Sequence, residues 1–151
     1  MSDNVKPLKW HKFLIYFWLW AGAILIVLGA VAYITGAVYG ELKDKLYQVF
    51  PVIQGIDIVY GIVLIGIATY VTYIRFQLAG FKQGAPKKLL AMFVLSIVVK
   101  WVYTLIISAV MGIPFTQIQS GASLIGELIG TGVNIWLHKI YYDKRAELFV
   151  N

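Results

Sequence analysis

Cysteine is absent from the 151 residues, which removes disulfides, thiolate metal sites and cysteine nucleophiles together. Histidine is nearly absent. The two present, His11 and His138, have no ligand-like spacing, so no metal site is expected. Asp, Glu, Lys and Arg make up only 13% of the chain, about half their share in soluble domains. That is too little polar side chain to cover a water-facing surface, and an ordinary soluble enzyme is excluded. With 15% aromatic residues, disorder is excluded too, because disordered chains are rich in charge and poor in aromatics. What fills the chain instead is apolar: 60% hydrophobic residues and a mean hydropathy of +0.79.

The apolar residues fall into long runs. A spanning helix needs about 20 of them to cross a hydrocarbon core. Residues 13–40 carry no charge at all, residues 46–74 carry only Asp57, and residues 89–126 carry only Lys100. The last run is too long for one crossing and is broken at Gly112-Ile113-Pro114. The pattern predicts an all-α, polytopic membrane protein. A single transmembrane domain, residues 1–151, forms a four-helix bundle with spans at about 13–39, 50–74, 89–111 and 120–140. The four prolines, at 7, 51, 86 and 114, lie outside the helix interiors so drawn. Lys6, Lys9 and Lys12 ahead of an apolar run, with Ala30-Val31-Ala32 beyond, have the look of a signal peptide. The apolar run continues well past those small residues, so a retained span is expected.

The net charge of +6 is read as topology rather than nucleic-acid binding, because cytoplasmic loops hold the excess of Lys and Arg. Ten of the 13 basic residues lie before span one, between spans two and three, or at and beyond the C-terminal end of span four. Both termini are therefore expected in the cytoplasm of a cell with the protein in its cell membrane. Trp10, Phe13, Tyr16, Phe17, Trp18 and Trp20 at the inner end of span one, and Tyr141 and Tyr142 at that of span four, agree with an aromatic belt there.

The run Tyr141-Tyr142-Asp143-Lys144-Arg145-Ala146-Glu147-Leu148-Phe149-Val150-Asn151 and the opening Trp10-His11-Lys12-Phe13-Leu14-Ile15-Tyr16-Phe17 resemble small four-span proteins of Gram-positive gut bacteria. The resemblance implies a bacterial plasma membrane and carries no activity or catalytic motif. Other compact four-span classes fit less well. Quinone-linked thiol oxidoreductases need cysteines, and small multidrug exporters keep a key glutamate in their first span, which has no charge here.

Three ionisable residues fall inside the spans: Asp57, Lys100 and Glu127. Each costs about 2.5–3.5 kcal/mol to insert at the bilayer centre, so each calls for a partner or a task. From the helical rise, Asp57 and Glu127 lie about 10 Å below the outer surface and Lys100 about 6 Å deeper. Lys100 leans inward along its helix and the two carboxylates lean outward. Tyr60, Thr131 and Asn134 are therefore equally expected partners of the lysine.

Span four carries Ser120, Ser123, Glu127, Thr131, Asn134 and His138 at steps of 3, 4, 4, 3 and 4, the period of one helix face. Span three offers Ser96, Lys100, Thr104 and Ser108 on another. These stripes define a candidate ion or substrate pathway through Asp57, Lys100, Glu127, Thr131, Asn134 and Tyr60; their other reading is interhelical packing. His138 and Arg75 are expected as interfacial anchors at helix ends. Gly22, Gly29 and Gly36 recur every seven residues among alanines, a helix-packing stripe within the chain or between copies.

Two functions follow. The first is a small transporter or ion-conducting protein, passing a cation or proton through an Asp57/Lys100/Glu127 site. The second is a non-catalytic interaction, assembly or regulatory module whose buried charges are structural. The expected partners are membrane lipids and either a second copy or another membrane protein, with no cofactor and no nucleic acid. An enzyme is not expected, since a lipid-acting one would have only His11 and His138 to work with.

Overall fold

The computed structural model describes residues 8–150; Lys6, Pro7 and Asn151, named above, lie outside that range. The described residues are mostly helical, with no strand among them. Three helical stretches are long and apolar enough to cross a membrane: the interrupted run Lys9–Val49, then Pro51–Ala79 and Ala85–Met111.

The first run opens as α1 (Lys9–Phe13), widens into a π-helical stretch, Leu14–Trp18, and continues as α2 (Leu19–Thr35). A π turn takes the backbone out of the regular i→i−4 ladder, and here the Ile15 carbonyl accepts a bond from Arg75 Nε at 3.0 Å. Arg75 thus bonds across to the first run from a position one turn before the end of its own helix. It sits inside α4 (Pro51–Ala79), its guanidinium over the rings of Phe76, Trp20 and Tyr16.

The first span ends earlier than residue 39. Gly36 takes φ 74°, and its N–H bonds the Tyr33 carbonyl, the left-handed helix stop that glycine adopts without penalty. The chain then makes a 3₁₀ stretch, Ala37–Leu42, and a short helix α3 (Lys43–Val49), before Pro51 opens α4 from its first turn.

Next come α5 (Ala85–Met111), the short α6 (Phe115–Ile118) and α7 (Gly121–Asp143), the last capped by Ser120, whose hydroxyl accepts from Ser123 N. The breaks at 80–84 and 112–114 match Gly80 and Gly84 in the first and Gly112 and Pro114 in the second. α2 lies along α4, α4 along α5 and α5 along α7.

The tightest approach is at Gly61 of α4, where an added Cβ would stand 2.8 Å from the Ala30 carbonyl oxygen and 2.5 Å from an Ile34 side-chain atom. Gly22 and Gly29 have nothing within 4 Å of such a Cβ, and Gly36 faces Tyr47 and Lys43. The glycine heptad of span one is therefore not the internal seam of this fold. That seam runs through Gly61 and Ala30.

One end of the helices is tied by side chains. His11 N–H donates to Tyr141 Oη at 3.2 Å, and His11 Nδ1 lies 3.1 Å from Tyr142 Oη. Phe81 in the α4–α5 turn stacks on His11 at 5.1 Å, with Phe149 5.9 Å from the same imidazole. The start of α1, the α4–α5 turn and the end of α7 therefore meet at one end.

Candidate functional site

Two polar sites lie among the helices, and they divide the residues the sequence had grouped. The first surrounds Asp57, whose side chain is fully buried. Tyr103 Oη donates to Oδ1 at 2.7 Å, Tyr47 Oη to Oδ2 at 2.8 Å and Tyr39 Oη to Oδ1 at 3.2 Å. Tyr39 and Tyr103 also touch at 3.1 Å. Three phenols from the 3₁₀ stretch, α3 and α5 thus satisfy a carboxylate that burial would otherwise leave bare. Asp57 holds the segment 37–49 against α4 and α5.

The second site is a groove of about 530 Å³, within the range of small-molecule pockets. Tyr60 of α4, Phe93, Ser96, Ile97 and Lys100 of α5, and Glu127, Gly130, Thr131 and Asn134 of α7 line it. It gathers Lys100, Glu127, Thr131, Asn134 and Tyr60 from the expected pathway and leaves out Asp57.

Lys100 Nζ donates to both Glu127 oxygens at 2.8 Å. The four-carbon lysine stem covers the difference in depth that its helix lean had suggested. Gln119 Nε2 donates to Glu127 Oε2 at 2.8 Å and Trp101 Nε1 to the same oxygen at 3.4 Å, so the chain just before α7 folds over the carboxylate. The pair is not sealed: 44% of the Lys100 side chain and 23% of the Glu127 side chain stay exposed.

The hydroxyls of Tyr60 and Thr131 and the amide of Asn134 make no side-chain hydrogen bond among the described residues, leaving polar groups free along the groove wall. His138, one turn beyond Asn134 on α7, is buried between Trp10 at 5.8 Å and Phe93 at 5.3 Å. Its Nδ1 donates to the Asn134 carbonyl at 2.8 Å, so it is a packed residue and not a solvated helix-end anchor.

Tyr60 and Tyr103 stack at 3.9 Å, so the wall of the groove is also the wall of the Asp57 cage. Elsewhere on α5, Thr104 bonds back to the Lys100 carbonyl and Ser108 to the Ile113 carbonyl, which places both in helix and turn structure outside the groove. Among the described residues no three His, Asp or Glu side chains gather as metal ligands would.

Tyr39, Tyr47, Tyr103, Gln119 and Trp101 were not foreseen. The signal for Gln119 was a polar side chain between a proline break and a helix start. For the tyrosines no signal at residue level exists, because their meeting depends on the chain turning back after Gly36. No protein-family model, curated protein or solved structure matches the chain.

Proposed function

We propose that the chain is a four-span protein of the cell membrane, with both termini on the cytoplasmic side, that passes a small polar solute or ion through the α4/α5/α7 groove. The observation that carries this reading is the groove itself. It joins a half-exposed ion pair to three free polar side chains, between helices that are otherwise apolar. Intramembrane charges left open to a cavity mark solute and ion paths more often than they mark packing.

α7 serves as the fourth span. Its 23 residues reach about 35 Å. Its polar stripe faces the groove while Ile125, Leu128, Ile129, Val133 and Trp136 are exposed on the rest of its surface, as lipid contact requires. The charges at the tied end support this orientation. Lys9, Lys12, Lys82, Lys87, Lys88, Lys139, Lys144 and Arg145 lie on the segments that meet there, and Lys43 and Lys45 at the other end are offset by Glu41 and Asp44.

One observation favours the competing reading, an interaction or assembly module with structural charges: the Lys100–Glu127 contact is closed at 2.8 Å. Flux separates the two. Proteoliposomes shrunk by small polar solutes or salts should re-swell faster with the wild type than without protein, and Lys100→Met/Glu127→Leu should abolish the difference. Equal rates for wild-type and protein-free vesicles across the panel would leave the module reading.

A further inference from the structure

The charge balance of the groove bears on what it accepts. Its lining holds one cation and one anion, Lys100 and Glu127, and otherwise only neutral side chains. An ion arriving alone would leave its charge uncompensated, because the lining has no net charge to offer it. A solute bearing both signs avoids this. Its oxyanion takes Lys100, its ammonium takes Glu127, one internal ion pair becomes two, and the net charge of the site does not change.

The bonding around the pair is suited to such an exchange. Glu127 is held by Gln119 and Trp101 as well as by Lys100, so it keeps two donors when the lysine turns away. Lys100 Nζ has no acceptor among the described residues except Glu127. Lysine is therefore the arm that swings and glutamate the fixed post. Asn134, Thr131 and Tyr60 remain to bond the rest of the oxyanion.

We propose that the groove binds a zwitterion, an ammonium and an oxyanion a few bonds apart, by opening the Lys100–Glu127 pair. This rests on the reading of the groove as a solute site. The same chemistry occurs in free amino acids and in aminophospholipid headgroups, and the experiment has an arm for each.

The full-length protein is reconstituted in nanodiscs of phosphatidylglycerol alone, and its thermal unfolding midpoint is measured with glycine, β-alanine or γ-aminobutyrate. Permanently anionic methanesulfonate and permanently cationic tetramethylammonium serve as comparisons. In a parallel series phosphatidylethanolamine is mixed into the disc. At least one zwitterion should raise the midpoint, by about 3–5 °C for each tenfold excess over its dissociation constant; the two single-charge ions should not.

Lys100→Met/Glu127→Leu should lose the rise. Thr131→Val and Asn134→Ala, which keep the ion pair, should weaken it. A rise with phosphatidylethanolamine alone assigns the headgroup, and a rise with the amino acids assigns the free solute. No rise with either, an equal rise with methanesulfonate or tetramethylammonium, or a rise retained by the double variant overturns the proposal. A zwitterion that binds but shows no flux refutes the carrier reading alone; flux of single-charge ions with no zwitterion binding refutes this inference alone.

Discussion

Glu127→Leu destabilises the protein by about 3 kcal/mol, because it strands the Lys100 ammonium at membrane depth. The ammonium has no second acceptor among the described residues, so only solvent on its exposed side offsets the loss. Lys100→Leu removes the other partner and does less, about 1–2 kcal/mol, since Gln119 and Trp101 still donate to Glu127. Replacing both residues by leucine returns the protein to within about 1 kcal/mol of wild type, because a charge pair exchanged for apolar packing is often neutral. The three variants form a double-mutant cycle, read as unfolding free energy in detergent micelles. Equal losses in the two single variants, or losses that simply add in the double, would show that the pair is not bonded in this unequal way.

Asp57→Leu has the second large effect, about 3–5 kcal/mol. It removes the acceptor of Tyr39, Tyr47 and Tyr103 at once, and each of these half-buried hydroxyls left without a partner costs up to about 1–3 kcal/mol. Tyr39 and Tyr103 can still bond each other across 3.1 Å, which keeps the total below the sum of three. Asp57→Asn retains one acceptor oxygen and loses less. The damage is local at first. Hydrogen exchange should accelerate in residues 37–49, which the two tyrosines of that segment hold down, before it accelerates in α4 or α5. An exchange pattern unchanged in that segment would contradict the role given to Asp57.

The sequence was legible where the signal lies within one helix. Charge-poor runs marked the long helices, glycine and proline marked the breaks, and the 3.6-residue stripe from Ser120 to His138 put Glu127, Thr131 and Asn134 on one wall. It was illegible where the signal lies between segments. Asp57 and Glu127 share a depth on paper, yet Asp57 faces tyrosines brought over by the turn after Gly36, and Glu127 faces α5. Gly22 and Gly29 have the regular spacing of a seam, while the close approach falls at Gly61, which no spacing singled out. Arg75 was legible as a cation near a helix end; its partner, a carbonyl made available by a π turn, was not.

Wetness of the groove is the central claim, and the absence of cysteine makes it directly measurable, since a single introduced thiol reports only its own position. In native membranes, Ser96→Cys and Thr131→Cys in the groove should react with a membrane-impermeant methanethiosulfonate, while Ile125→Cys and Ile129→Cys on the exposed face of α7 should not. Protection at all four positions, or reaction at the two isoleucine positions alone, would contradict a polar path between α4, α5 and α7.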